Sequence, residues 1–185
     1  MTSAGGANTQ KIVVLDRDGV INADSDDYIK SPQEWVAIPG SLEAIARLQQ
    51  SGYKIAIATN QSGVGRGLYT LETLDAIHAK MAAALAEHGA TVDVIAFCPH
   101  TPADDCACRK PRPGLLCSIE DSLNVDLSGV PFIGDSRRDL DAAVAKGMAP
   151  VLVKTGKGTD TAAGDLPLGT TVYEDLRRAV DAILA

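Results

Sequence analysis

Short apolar runs alternate with longer segments of helical spacing along most of the chain. The runs are rich in β-branched residues, which is typical of buried strands, and they occupy residues 11–15, 53–59, 92–98, 130–135 and 149–155. Strands that are connected through helices run parallel, because the chain must cross back before each new strand begins. The pattern therefore predicts an α/β fold, a doubly wound parallel sheet with helices on both faces.

The segments between the runs carry start and stop signals of helices. Glycine, proline and threonine at their ends match the residues that begin and terminate helices in proteins. Four helices are predicted from these signals, at residues 41–50, from Thr70 to before Gly89, from Pro113 onward and at residues 137–146. Residues 156–170 are predicted to form a surface loop that leads into a last helix near 174–184.

The length of 185 residues suits one domain with a sizeable core. Residues 1–10 are small, polar and rich in glycine, so we interpret them as a disordered tail and residues 11–185 as a single domain. No apolar run approaches the roughly 20 residues of a membrane span, and the first ten residues lack the basic start and apolar middle of a secretion signal. We therefore expect a cytoplasmic protein.

The charge balance excludes some partners. Seventeen Lys and Arg residues against twenty-four Asp and Glu residues give a net charge of −7. An acidic chain offers no general attraction to nucleic acid or to an anionic membrane, so neither is expected as a partner. We expect a monomer that binds a small molecule through local positive charge.

Polar and charged side chains stand where the predicted strands end. They are Asp16 and Asp18 after the first strand, Thr59 in the second, Lys110 in the loop after the third, and Asp135 and Asp139 after the fourth. In open α/β sheets ligands bind at the carboxyl ends of the strands, so these side chains are expected to meet at one rim. The carboxylates of Asp16, Asp18 and Asp135 would repel one another there without a hard cation. Mg²⁺ is such a cation, and it favours a few carboxylates together with a substrate phosphate.

A phosphoryl group held at this rim defines roles for the side chains around it. The Thr59 hydroxyl and Lys110 would stabilise the charge on its oxygens. Asp16 would attack phosphorus to form an aspartyl-phosphate, while Asp18 would protonate the leaving oxygen and later activate water. The backbone carbonyl of Asp18, rather than its carboxylate, would then face the metal.

Four segments that occur in this order, LDRDGVIN, ATNQSGVGRG, CRKPRPG and GDSRRDL, resemble the motifs of haloacid dehalogenase superfamily phosphatases. The resemblance implies that Asp16 is the nucleophile, Asp18 the acid and base, Thr59 and Lys110 the phosphoryl stabilisers and Asp135 a metal ligand, with Asp139 orienting Lys110 or the metal shell. A cap domain usually selects the substrate in this superfamily. The gaps between the motifs leave no room for a large cap here, so we expect an open site.

The loop CPHTPADDCACRKP places four potential metal ligands within eleven residues, namely Cys98, His100, Cys106 and Cys108. Three thiolates and an imidazole form a closed tetrahedral set for Zn²⁺, so the site is expected to be structural and to fix the position of Arg109. The alternative is reduced cysteines that pack as small hydrophobic side chains.

The remaining cysteine and histidines are assigned structural roles. Cys117 falls in the helix after Pro113 and is interpreted as an inert buried thiol. His78 shares the apolar stripe of the long helix and His88 lies at the end of that helix, so both are expected to be structural or surface residues.

Selection of the substrate is expected from surface segments around the rim. The candidate contacts are Asp24, Asp27, Asn60, Gln61, Ser62, Arg66 and Arg109. The arginines supply local positive charge, which predicts a small substrate with more than one anionic group. The glycine-rich loop and the cysteine loop together most resemble a sugar-bisphosphate phosphatase branch of the superfamily that supplies precursors of bacterial surface glycans, with a histidinol-phosphate phosphatase as the alternative.

Two other classes of function remain open. A phosphoacceptor signalling domain also brings Asp, Thr and Lys to the strand ends of a doubly wound sheet, but it lacks a second Asp two residues after the acceptor. A zinc-dependent interaction module would leave Asp16, Asp18 and Asp135 without a purpose.

Overall fold

The structure is a computed structural model that describes residues 10–185. The predicted disordered tail therefore lies outside the described residues except for Gln10, which is exposed. The strands are β1 Ile12–Leu15, β2 Lys54–Asn60, β3 Val94–Cys98, β4 Pro131–Gly134, β5 Ala149–Val153 and β6 Thr171–Tyr173. The helices are α1 Ser41–Gln50, α2 Ser62–Gly65, α3 Leu71–Glu87, α4 Gly114–Leu123, α5 Arg137–Lys146, α6 Gly158–Ala162 and α7 Leu176–Leu184.

All six strands form one parallel sheet in the order β3-β2-β1-β4-β5-β6. The chain moves outward from β1 to β3 and then returns to the other side of β1 to form β4. This reversal of strand order opens a crevice at the carboxyl ends of β1 and β4, where ligands bind in sheets of this kind. The predicted doubly wound α/β sheet is confirmed.

Helices cover both faces of the sheet and enclose two apolar layers. One layer packs residues of α1, α3 and α7 against the sheet, and the other packs residues of α4 and α5 against the opposite face. The strands β1 and β2 contribute to both layers because their successive side chains point to opposite faces. Near-complete burial of these two interior strands explains their continuous apolar runs.

The predicted helices are present close to their expected bounds. Helix α3 begins after Thr70, whose hydroxyl accepts a hydrogen bond from the Thr73 backbone N–H at 3.2 Å. Helix α5 ends at Lys146 and is followed by Gly147, which has a φ of 76°, as expected for a glycine that terminates a helix. Among residues 10–185, no helix is long and apolar enough to cross a membrane.

Two predictions about the second half of the chain were wrong. The predicted loop 156–170 contains α6 and is followed by the sixth strand, β6. Both elements escaped prediction because α6 has five residues without an apolar stripe and β6 has three mostly exposed residues. Cys117 is exposed rather than buried, because it lies on the outer side of α4, whose buried positions are Leu115, Leu116 and Ile119.

Candidate active site

Asp16 stands at the carboxyl end of β1 with its carboxylate directed into the crevice. Its backbone N–H donates to the Ile133 carbonyl at 2.9 Å, which continues the pairing of β1 with β4. One carboxylate oxygen lies 2.9 Å from Lys110 Nζ, and the other accepts the Arg17 backbone N–H at 2.7 Å. Burial and the charge of Asp139 raise the pKa of Asp16 well above its usual value, against the opposing effect of Lys110.

Lys110 is the buried cation of the site. Its Nζ lies 2.6 Å from Asp139 Oδ1 and donates to the Ala58 carbonyl at 2.8 Å, and its side chain is 2% exposed. Burial alone would lower the pKa of Lys110, but the two neighbouring carboxylates outweigh it and hold the pKa above its usual value. The side chain of Asn60 fixes the Lys110 backbone, donating to its carbonyl and accepting from its N–H at 3.1 Å each.

Three buried carboxylates, those of Asp16, Asp135 and Asp139, have oxygens within 4.8 Å of one another. Asp139 is committed to Lys110 and to Ser136, whose N–H and hydroxyl donate to it at 3.0 and 2.7 Å. Burial and the charge of Asp139 raise the pKa of Asp135 to about 7. A Mg²⁺ ion would relieve this repulsion with the ligand type that it prefers, so the residues fit magnesium, with Asp16 and Asp135 as its carboxylates.

The Asp18 carboxylate is not part of that cluster and is held by four donor groups. Arg17 donates to it through Nε and Nη2, the Asn22 amide donates at 2.8 Å, and the Gln61 amide donates at 2.8 Å. Burial opposes ionisation, but Arg17 and these hydrogen bonds lower the pKa of Asp18. Asp18 is therefore an anion when no substrate is present.

The Gln61 side chain links Asp18, which follows β1, to Thr59 of β2. Its amide nitrogen also donates to the Thr59 hydroxyl at 2.9 Å, and its amide oxygen accepts from the Tyr69 hydroxyl at 2.7 Å. Tyr69 was not predicted as part of the site, since it lies outside the motif that carries Gln61. Burial raises the pKa of Tyr69 to about 12, which keeps its hydroxyl a donor.

A cavity of about 330 Å³ opens over this rim. It brings together most of the predicted site residues, namely Asp16, Asp18, Asp24, Thr59, Asn60, Gln61, Ser62, Arg66, Arg109, Lys110, Asp135 and Asp139. Asp27 does not line the cavity, because it sits in a turn where its N–H bonds to the Ser25 hydroxyl and its side chain is exposed. The neighbouring residues Ser25 and Asp26, which were not predicted, line the cavity together with Asp24.

Sequence reasoning missed two basic residues of the cavity, Arg138 and Lys157. The Lys157 backbone N–H donates to Asp135 at 2.8 Å, and its Nζ lies 3.4 Å from Asp24 and 3.2 Å from Asp26. Lys157 could have been predicted from its position after the end of β5. The rule that ligands bind at the carboxyl ends of parallel strands located Asp16, and it applies to β5 as well.

The predicted zinc ligands converge in the loop after β3. The distances between neighbouring ligand atoms of Cys98, His100, Cys106 and Cys108 run from 3.1 to 3.6 Å. A tetrahedron with Zn–S bonds of about 2.3 Å has edges of roughly 3.8 Å, so the four groups fit one zinc ion with no position left open. The sulfur separations are too long for disulfide bonds.

The same loop carries Arg109 into the cavity. Arg109 Nη1 donates to the His100 carbonyl at 3.3 Å, and Arg112 donates to the carbonyls of Asp105 and Cys106 at 2.7 and 2.8 Å. Burial and the nearby charge of Arg138 lower the pKa of Arg109, which is expected where guanidinium groups gather.

The site at the switch point of the sheet combines Asp16, the buried Lys110 and Asp135, which fits magnesium. This combination suits phosphoryl transfer, which is the chemistry of the haloacid dehalogenase-like hydrolases. A family model described as HAD-hydrolase-like matches residues 107–179. Two D-glycero-beta-D-manno-heptose-1,7-bisphosphate 7-phosphatases are similar over nearly their whole length. The one from Pseudomonas aeruginosa is 53% identical and covers 95% of this chain and 99% of its own. The one from Bordetella bronchiseptica is 56% identical and covers 94% and 98%.

Solved structures agree with these relatives. The D,D-heptose 1,7-bisphosphate phosphatase from B. bronchiseptica, complexed with magnesium and phosphate, matches with a TM-score of 0.92 at 56% identity, over 94% of this chain and 98% of that one. The corresponding phosphatase from Burkholderia thailandensis matches with a TM-score of 0.75 at 47% identity, over 95% and 99%. The chain belongs to the family of D-glycero-beta-D-manno-heptose-1,7-bisphosphate 7-phosphatases, which confirms the predicted resemblance and the predicted phosphatase class.

Proposed function

We propose that this protein is a magnesium-dependent phosphatase that removes the 7-phosphate of D-glycero-D-manno-heptose 1,7-bisphosphate through an aspartyl-phosphate. Its place would be the cytoplasmic synthesis of heptose precursors for lipopolysaccharide or surface glycans, where we expect it to act as a monomer. The observation that carries the proposal is the Lys110 ammonium, which lies between Asp16 and Asp139 at the floor of a cavity edged by arginines.

In the first step, an Asp16 oxygen attacks phosphorus and the bond from phosphorus to the sugar oxygen breaks. Lys110 and the Thr59 hydroxyl stabilise the charge on the transferring group. The leaving oxygen takes a proton from Asp18. Asp18 is ionised in the free protein, so it takes up this proton from solvent as the substrate binds. The negative charge of the substrate phosphate favours the uptake, because it raises the pKa of Asp18 from its low value in the free protein.

In the second step, Asp18 accepts a proton from a water molecule that attacks the phosphorus of the aspartyl-phosphate. The bond from phosphorus to Asp16 breaks, so inorganic phosphate leaves and the Asp16 carboxylate is regenerated. A bound Mg²⁺, for which Asp16, Asp135 and the Asp18 carbonyl are the available ligands, would shield the negative charge that gathers on the phosphoryl group.

Recognition of the rest of the substrate falls to the cavity wall. Arg66, Arg109 and Arg138 edge the cavity, and in the part of the chain that the structure describes none of them pairs with a carboxylate. Three unpaired guanidinium groups favour a second phosphate. Asp24, which also lines the cavity, is suited to accept hydrogen bonds from sugar hydroxyls.

The test compares turnover of the α- and β-anomers of the heptose bisphosphate with turnover of histidinol phosphate, with Mg²⁺ added and removed. We expect kcat/KM to be highest for one of the heptose bisphosphates and to require Mg²⁺. A preference for histidinol phosphate would overturn the proposed substrate. Accumulation of long-lived phosphorylated protein without release of phosphate would favour a phosphoacceptor domain.

A further inference from the structure

Arg17 is a fully buried guanidinium with no place in the reaction described above. Its side chain has no exposed surface, although it stands between the nucleophile Asp16 and the acid Asp18. A buried charge is costly unless its hydrogen bonds are satisfied. Arg17 meets this requirement on one edge, where Nε lies 3.1 Å from Asp18 Oδ1 and Nη2 lies 2.9 and 3.0 Å from the two Asp18 oxygens.

The other edge of the guanidinium faces His78 on α3. Arg17 Nη1 lies 3.3 Å from His78 Nε2. A guanidinium can only donate, so Nε2 is the acceptor, and the neutral imidazole carries its proton on Nδ1. Burial and the charge of Arg17 lower the pKa of His78 to about 4, which agrees with a neutral ring.

The packing of α3 explains how His78 can hold this position. The buried stripe of the helix consists of Leu74, Ile77, Met81 and Leu85, while His78 is only partly buried at the edge of the stripe. Its ring also packs against Phe97 of β3, with the ring centres 6.1 Å apart. These contacts fix the imidazole on α3, with Nε2 facing the Arg17 guanidinium that binds Asp18.

We propose that His78 is a positioning residue of the phosphatase reaction, which fixes the Arg17 guanidinium and through it the Asp18 carboxyl group beside the leaving oxygen. The inference rests on the proposed role of Asp18. A bidentate arginine alone can rock about the axis of its contact with a carboxylate. A second contact, on the opposite edge, removes that freedom.

The decisive measurement exploits the leaving group. An alkyl phosphate such as the heptose bisphosphate needs its leaving oxygen protonated, whereas the nitrophenolate of p-nitrophenyl phosphate leaves without help. His78→Met replaces the imidazole nitrogen with a thioether, which is only a weak acceptor. We therefore expect kcat/KM for the alkyl phosphate to fall about tenfold while that for the aryl phosphate changes far less. His78→Gln, whose amide oxygen can occupy the place of Nε2, should restore most of the loss.

The matched control is His88→Met, because His88 lies at the end of the same helix and is not among the residues that line the cavity. His88→Met should leave kcat/KM unchanged for both esters. The proposal would be overturned if His78→Met lowered kcat/KM equally for both esters or did not lower it at all. It would also be overturned if His78→Gln failed to restore kcat/KM for the alkyl phosphate. If His78→Met does not fold, His78→Asn replaces it, since the shorter amide cannot reach Arg17.

Failure of the proposed function can be recognised separately. If the wild-type protein prefers histidinol phosphate, the same comparison is made with that ester, which is also an alkyl phosphate. Asp18→Asn should show the same selective loss, and adding His78→Met to it should lower kcat/KM no further. Additive losses would overturn the positioning role even if the heptose bisphosphate is the substrate.

Discussion

Lys110 Nζ lies 2.6 Å from Asp139 Oδ1, and both side chains are almost fully buried, at 2% and 1% exposure. Asp139 also caps α5 through Ser136, so one carboxylate joins the helix to the lysine that faces the phosphoryl group. This arrangement leaves Asp16 as the second partner of Lys110 rather than its only one. Because Asp139 shares the charge of Lys110, the ammonium is not neutralised by the nucleophile alone.

Replacement of Asp139 should damage stability and activity together. Asp139→Asn leaves the buried ammonium with Asp16 as its only carboxylate partner, so we expect a loss of about 3 kcal/mol in the free energy of unfolding. We also expect kcat to fall by roughly tenfold or more, because Lys110 is drawn onto the nucleophile. Chemical denaturation and steady-state kinetics measure the two effects.

Asp141→Asn is the matched control for Asp139→Asn. Asp141 lies on the same helix and pairs with Arg137 at 2.7 Å, but both side chains are exposed. Its replacement should cost at most about 1 kcal/mol and leave kcat unchanged. Similar stability losses in both variants would contradict the role given to the buried pair.

Magnesium should stabilise the protein more as the pH rises. The folded-state pKa of Asp135, about 7, lies above its value of 3.8 in the unfolded chain, so without the metal Asp135 supports folding below pH 3.8 and loses that contribution as the pH rises through 7. Mg²⁺ binds the ionised carboxylate. Below about pH 7 its apparent Kd should therefore rise by up to tenfold for each pH unit.

The rise in Tm on adding Mg²⁺, measured from about pH 5 to pH 8, checks this expectation. The gain should be large at the upper end and small at the lower end. Asp135→Asn should reduce the gain at every pH. A gain that does not depend on pH would mean that protons do not compete with the cation at Asp135.

Much of the site could be predicted from the sequence, since parallel strands bring their carboxyl ends to one rim. That rule located Asp16, Thr59 and Asp135 without knowledge of the strand order. The resemblance left open whether Asp139 orients Lys110 or the metal shell, because the contacts of Lys110 with Asp16 and Asp139 depend on how a loop folds over the rim. For the same reason the sequence did not show that Gln61, which is expected as a substrate contact and lines the cavity, also links Asp18 with Thr59.

The parts that escaped prediction have weak periodic signals. Loop 156–170 has no apolar run, yet Lys157 lines one side of the cavity because β5 ends just before it. Tyr69 follows the glycine-rich loop, and nothing in the sequence distinguishes it from an ordinary aromatic residue, although its hydroxyl donates to the Gln61 amide oxygen.

Gly156 should not tolerate a side chain. Its φ is 56°, and a Cβ atom there would overlap with Asp135 Oδ2 and lie 2.6 Å from Gly19 Cα. Gly156→Ala must therefore displace the Asp135 carboxylate, so we expect weaker Mg²⁺ binding and a fall in kcat/KM of roughly tenfold or more. Titration of activity with Mg²⁺ measures both.

Gly52→Ala separates backbone strain from this clash. Gly52 has a φ of 84°, but no atom lies within 4 Å of the place that a Cβ would take. Its replacement should cost roughly 1 kcal/mol in stability and leave the Mg²⁺ titration unchanged. If Gly156→Ala behaves in the same way, the close approach to Asp135 has no bearing on the metal.

Arg109 should act on recognition rather than on chemistry. Arg109→Ala removes a guanidinium from the cavity wall but leaves Asp16 and Lys110 in place, so KM for the bisphosphate should rise. Hydrolysis of a simple phosphate ester should change much less. Arg137→Ala, on the exposed face of α5, is the control and should affect neither substrate. Equal losses on both substrates would contradict the assignment.

Removal of the zinc should have the same kinetic effect as Arg109→Ala. Cys106→Ser takes away one thiolate of the closed tetrahedral set, so we expect the purified protein to hold little zinc and its loop to lose order. Because Arg109 bonds to the His100 carbonyl of that loop, KM for the bisphosphate should rise while hydrolysis of a simple ester persists. Metal analysis with kinetics on both substrates tests this. Cys117→Ser, at an exposed position on α4, should retain one equivalent of zinc and normal kinetics. If Cys106→Ser keeps its zinc, or loses zinc without a change in KM, the cysteine loop does not position Arg109.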